Sequence, residues 1–169
     1  MNGIGIILLG LLFAAQGGDV TGKVETTFDK KVNFAPLRTY TWSAGYNAYN
    51  PEAHKMIVAA FEAEMAGLGF TKVEKGADVT LAYYTVTGTD VDLKALDKME
   101  REGKSGVAPT KARSRLVVIM RGATSNAQIW SASTREYVDP ASLESTIQSV
   151  TARLFATYPG RKAAGQKQP

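Results

Sequence analysis

Residues 50–84 read NPEAHKMIVAAFEAEMAGLGFTKVEKGADVTLAYY, and the switch of period inside this stretch decides the fold class. Asn50 followed by Pro51 is a helix start, with Asn50 as N-cap and Pro51 at the first helical position. Ile57, Ala60, Phe61, Met65 and Leu68 then recur at helical spacing. Gly69 suits the left-handed position that closes a helix, with Phe70 placed to touch Met65. Past Gly69 the period drops to two. Residues 70–73 and 78–87 read as strands, the second with Val79, Leu81 and Tyr83 on one face.

Upstream, residues 24–32 alternate as a half-exposed strand, with Val24, Thr26, Phe28, Lys30 and Val32 on one side. Pro36 interrupts, Thr39-Tyr40-Thr41-Trp42 is a short β-prone segment, and residues 45–50 read as a loop. Downstream, residues 93–102 suit a short polar helix closed by Gly103, and residues 105–110 a loop. Leu116 to Met120 is a continuous apolar run, the pattern of a strand buried on both faces. Residues 128–138 are another strand. Asp139-Pro140 repeats the helix-start signal before the stripe Leu143, Ile147, Val150, Leu154, Phe155 and Tyr158, which Pro159-Gly160 ends. The order is ββαββ, a basic connector, then ββα, with Trp42 and Trp130 hinting at a duplicated ββα unit. This predicts an α+β fold of two layers: a mainly antiparallel sheet of about six strands with two amphipathic helices on one face.

At 169 residues a single domain is expected, over residues 18–160. The sequence contains no cysteine, which removes disulfides, thiolate metal sites and thiol nucleophiles from consideration. Ile4 to Ala15 form an apolar run too short to span a bilayer, and Ala15-Gln16-Gly17 offers small residues for cleavage. Residues 1–17 therefore read as a signal peptide, although Met1-Asn2-Gly3 carries only the α-amino charge. The expected address is the periplasm or envelope, without a lipid anchor through cysteine. Residues 161–169 read as a disordered basic tail.

Around Asn33-Phe34-Ala35-Pro36-Leu37-Arg38-Thr39-Tyr40-Thr41-Trp42 the chain resembles a bacterial family of envelope lipoproteins built on a domain of unknown function, DUF4136. Phe28-Asp29, Arg38 to Trp42, Ala77-Asp78-Val79-Thr80-Leu81-Ala82-Tyr83, Ile129-Trp130 and Tyr158-Pro159 carry the resemblance, in order across nearly the whole mature chain. Two positions depart from the family pattern: the lipid-bearing cysteine is missing, and Met120-Arg121-Gly122 stands where members often carry an aspartate. The resemblance implies an envelope location and a compact α+β fold. It implies no activity and transfers no functional residue.

His54, the one histidine, falls in the first turn of a helix beside Lys55 and reads as a solvated surface residue rather than a catalytic base. One histidine without cysteine leaves no protein zinc site. Asp90, Asp92 and Asp97 miss the spacing of a calcium loop, because Lys94 and Ala95 stand where a ligand and a glycine are needed, and Asp92 reads as a helix cap. Glu62 and Glu64 lie two apart on a helix and do not face each other. No catalytic residue, cofactor or metal is therefore expected.

Two surfaces stand out. Lys104, Lys111, Arg113 and Arg115 form a basic connector that reads first as a solvated loop with strand flanks, and second as an anion contact, with an anionic membrane surface as its partner. The absence of aromatics between Lys104 and Arg121 argues against nucleic acid. Tyr46, Asn47 and Tyr49 place polar-tipped aromatics in a loop and are the expected contact with a small ligand or an envelope protein. The expected function is a non-enzymatic binding or scaffold module. The alternatives are a small periplasmic hydrolase and a basic module on anionic membrane.

Overall fold

Asn50 accepts hydrogen bonds on its side chain from the amides of Glu52 (2.9 Å) and Ala53 (3.4 Å), and helix α1 follows over Pro51–Gly67. It ends as the sequence requires. Gly69 sits at φ +84°, its amide bonds Ala66 O at 2.9 Å, and the Phe70 amide bonds Met65 O at 2.9 Å, which together make a Schellman close. The computed structural model from which these contacts come describes residues 22–43, 50–137 and 140–160. The expected signal peptide, the Tyr46, Asn47 and Tyr49 segment, Asp139 and the basic tail lie outside the described residues.

Strands β1 (Glu25–Phe28), β2 (Thr39–Trp42), β3 (Thr71–Lys72), β4 (Val79–Val91), β5 (Thr110–Gly122) and β6 (Gln128–Tyr137) form one sheet in the order β1-β6-β5-β4-β2-β3. The β1–β6, β6–β5 and β5–β4 pairs are antiparallel, whereas β2 runs parallel to both β4 and β3. Helix α2 (Leu93–Arg101) joins β4 to β5, and helix α3 (Leu143–Phe155) follows β6 through a 3-10 turn at Pro140–Ser142. The fold is the α+β arrangement expected, with α1 and α3 packed together on one side of the sheet.

Alternation along the strands selects that side. Val79, Leu81 and Tyr83 of β4, Leu116, Val118 and Met120 of β5, and Trp130 and Ala132 of β6 are buried. They meet Ile57, Phe61 and Met65 of α1 and Ile147, Val150, Leu154 and Phe155 of α3 in one core. Phe61 and Phe155, both fully buried, touch edge to face at 5.2 Å across the two helices.

The structure corrects several details. The expected strand over residues 24–32 stops at Phe28, because the Asp29 side chain accepts the Lys31 amide at 2.9 Å and turns the chain. Leu116 to Met120 is buried on one face only: Val117 and Ile119 remain half-exposed, since among the described residues no helix covers the second side of the sheet. The basic connector is not a loop. Lys111, Arg113 and Arg115 belong to β5, paired with Asp90, Gly88 and Val86, because β4 continues through a Thr- and Val-rich segment as far as Val91. The second helix begins at Leu143 rather than Pro140, with Pro140 opening the 3-10 turn. A duplicated ββα unit is not present: β1 and β2 are separated in the sheet by β6, β5 and β4, whereas β5 and β6 are direct neighbours.

Candidate functional site

The residues that carry the resemblance come together first, and they build structure. Asp78 Oδ2 accepts the Arg38 amide, the Thr39 amide and the Thr39 hydroxyl, each at 2.9 Å, while the Asp78 amide donates back to Thr39 Oγ1 at 3.0 Å. These bonds clasp the entry of β2 to that of β4 and hold the Asp78 carboxyl below the usual carboxylate range, the two backbone amides being the leading cause. Trp42 stacks on Phe61 at 6.1 Å and donates its indole N–H to Glu62 at 2.9 Å. Lys72 donates to the same Glu62 oxygen at 2.7 Å, and this bond, then that from Trp42, lowers the Glu62 pKa. Tyr158 closes the core edge to face against Trp130 (5.4 Å) and Phe34 (5.5 Å), and burial pushes its phenol up to about 12. None of these groups is among the described residues that line the cavity below.

The cavity lies at the other end of the helix-covered side, where β4 and β5 run on past the helices. It has a volume of about 420 Å³ and is half-open to solvent. The sheet contributes Thr85 and Thr87, the segment 112–114, Leu116 and Glu136; the helices contribute Asn50, Ala53 and Ile57 from the start of α1 and Leu143, Thr146, Ile147 and Val150 from the start of α3. The cause is legible in the side chains. Core-facing positions that hold Leu81, Tyr83 and Leu116 further in are Thr85 and Ser114 here, opposite Ala53, so the layers are not filled. Among the described residues the lining is mostly aliphatic, with the hydroxyls of Thr85, Thr87, Ser114 and Thr146 and with Asn50, Arg113 and Glu136 as its other polar members. Glu136, at its rim, is ion-paired to Arg153, which also donates to Gly22 O at 2.7 Å.

The four basic residues expected to contact anions are each engaged. Lys104 pairs with Glu102 at 2.6 Å, Arg113 with Asp90 at 2.7 Å, and Arg115 with Glu25 at 2.7 Å and Ser133 Oγ at 2.8 Å. Lys111 lies 3.4 Å over the Tyr137 ring. Arg113 alone of the four borders the cavity, and Lys104 stands apart beyond α2. Asp92 caps α2 by accepting the amides of Lys94 and Ala95 at 3.1 Å, as its position implied. His54 is not a solvated surface residue. It is half-buried, its Nδ1 lies 2.5 Å from the Tyr83 hydroxyl, and its ring stacks on Tyr83 at 5.8 Å, because Tyr83 projects from β4 beneath the first turn of α1. No group of three or more metal-ligating side chains occurs among the described residues.

The cavity was missed by reading periodicity alone. The signal that marks it is the loss of large apolar residues at Thr85, Thr87 and Ser114 within strands whose inner positions are otherwise filled.

The sequence profile described as Domain of unknown function (DUF4136) matches residues 24–160. The chain belongs to the DUF4136 family. No curated protein matches this DUF4136 chain. Among solved structures, it is similar to a PDZ domain protein from Parabacteroides distasonis, with TM-score 0.57 and 14% identity over 83% of this chain and 36% of that one. The chain thus spans little more than a third of that protein's length. The PelC dodecamer from Paraburkholderia phytofirmans aligns with TM-score 0.54 and 14% identity, over 82% of this chain and 98% of the PelC chain. At these identities the likenesses establish the fold. The DUF4136 motif residues Thr39, Trp42, Asp78, Trp130 and Tyr158 are therefore the clasp and core contacts just described, and none of them lines the cavity.

Proposed function

We propose that this chain is an exported protein of the bacterial envelope that acts as a binding module, holding a single-chain amphiphile in the cavity beneath the first turns of α1 and α3. The cavity carries this reading. Its volume of about 420 Å³ lies in the range of small-molecule sites. The aliphatic side chains among its described residues, Ala53, Ile57, Leu116, Leu143, Ile147 and Val150, suit an alkyl or acyl body. Two helix N-termini meet at its mouth, and the positive ends of their dipoles favour an anionic head. A hydrolase reading is the weaker one. The rim carboxylate Glu136 is tied to Arg153, and His54 is engaged by the Tyr83 hydroxyl rather than by a carboxylate that would orient it as a base. The apolar run from Ile4 to Ala15 supports export.

Two measurements test the reading. Cell fractionation with N-terminal sequencing of the native protein is expected to find it outside the cytoplasm with the apolar run removed. Titration with cis-parinaric acid is expected to show saturable binding that a Thr85→Leu/Ser114→Leu variant lowers at least about tenfold, since each leucine projects into the space the chain would occupy. Equal affinity in a variant that melts like the native protein would remove the cavity as the site.

A further inference from the structure

The second side of the sheet carries its own chemistry. Register places Ala82, Tyr84 and Val86 of β4 beside Ile119, Val117 and Arg115 of β5, and these beside Ser131, Ser133 and Arg135 of β6. Arg113 and Lys111 extend the face toward α2, and Arg121 stands at its opposite end. Five cations thus share this face with two carboxylates, Asp90 and Glu25, so it holds most of the excess in a chain of net charge +4. Among the described residues, the buried apolar side chains of α1 and α3 enter the opposite core, and α2 has no buried side chain.

Two features are unfavourable for an isolated protein. Arg115 and Arg135 are directly opposed across β5 and β6, and like charges in that position repel. Glu25 answers Arg115, but Arg135 has no side-chain partner among the described residues, and the Arg115 Nε is buried without an acceptor. Beside the arginines, large aliphatics are left in solvent: Val86 is 64% exposed, and beyond it along the β4–β5 arm Leu93 is 71% and Val107 92% exposed.

We propose that this sheet face and its arm dock on an anionic phospholipid surface. Cations alone would equally suit an acidic protein. Exposed aliphatic residues among cations are what a headgroup layer rewards, because phosphates answer the guanidinium groups while the acyl boundary takes up Val86, Leu93 and Val107. A second copy meeting the same face would set its arginines against these and be repelled. Apart from Arg113, which also borders the cavity, the residues of this face lie across the sheet from it. This inference does not depend on the cavity having a ligand.

The test is flotation of the full-length protein, as the cell produces it, with vesicles of phosphatidylcholine alone or with about a third phosphatidylglycerol. Binding is expected to favour the anionic vesicles and to collapse as salt rises from about 0.05 to about 0.5 M. Arg135→Glu is expected to lower the partition about 30-fold, from two charges at about 1 kcal/mol each. The same change sets a carboxylate opposite Arg115, so its melting temperature should be unchanged or higher, which separates lost docking from lost folding. Leu93→Asp is expected to lower the partition as well. Equal binding to both vesicle types, no binding to either, or an Arg135→Glu variant that floats like the native protein overturns the proposal.

Discussion

Asp78→Asn isolates the bonds that join β2 to β4. Asp78 Oδ2 accepts three hydrogen bonds at 2.9 Å, two of them from backbone amides. The amide keeps an oxygen acceptor but loses the charge, which accounts for about half the strength of such bonds. Because Asp78 is exposed, water replaces part of what is lost, and the expected cost is about 1 kcal/mol, in the range of a helix cap. With a urea slope of about 2 kcal/mol/M, the unfolding midpoint falls by about 0.5 M. The pH dependence gives the stricter check. The folded pKa of Asp78 is depressed, so its contribution is complete above the unfolded value of about 3.9 and fades as pH falls through the lower folded value. Glu62, also depressed, is common to both proteins and cancels in the difference. Urea titrations of both proteins at pH 7 and near pH 2.5 should therefore show a smaller gap at the second than at the first. An equal gap at both values would mean that the carboxylate charge is not what holds the clasp.

Thr151→Val should stabilise the protein. The Thr151 hydroxyl is fully buried in α3 without a partner among the described residues, and removing it relieves about 1 kcal/mol of desolvation, visible as a melting temperature raised by about 3 °C; a lower melting temperature would show that the hydroxyl is bonded after all. Gly69→Ala should destabilise by about 1–2 kcal/mol through its positive φ alone, because an added Cβ meets nothing within 4 Å. A urea midpoint equal to that of the native protein would show that the α1 terminus relaxes without cost.

How far the sequence can be read varies along the chain for physical reasons. The helix α1 with both its caps, the capped start of α2 and the inner face of β4 are written in local signals: Asn50-Pro51, Gly69, Asp92, and apolar residues at spacing two. The course of β4 and β5 beyond Thr87 and before Leu116 is not local. Lys111, Arg113 and Arg115 look like a solvated loop until Asp90, Gly88 and Val86 are found opposite them, and that pairing is set by the sheet. Parallel pairing of β2 with β4 is likewise invisible in either strand; it rests on Asp78 reaching Thr39, thirty-nine residues earlier in the chain. His54 was misread for the same reason: its partner Tyr83 comes from a strand, not from its own helix.

These two kinds of signal divide the molecule. The DUF4136 motifs gather where β2, β4 and β6 meet α1 and the residues just after α3, and there each side chain is used up: Asp78 by Thr39, Trp42 by Glu62, Tyr158 by Trp130 and Phe34. Residues so engaged cannot also serve a ligand without unmaking the fold, so a motif of this kind identifies the scaffold and is silent about the work done on it. The places where chemistry remains free are those where the pattern is broken. Thr85 and Ser114 sit at core-facing positions without filling them, and Arg135 sits opposite Arg115 without neutralising it. Each break has a small cost in stability that a simple substitution would remove, leucine in the cavity or glutamate on the open face. If those substitutions stabilise the protein while abolishing amphiphile binding and vesicle binding respectively, the breaks are functional rather than accidental, and the two surfaces act independently on opposite sides of one sheet.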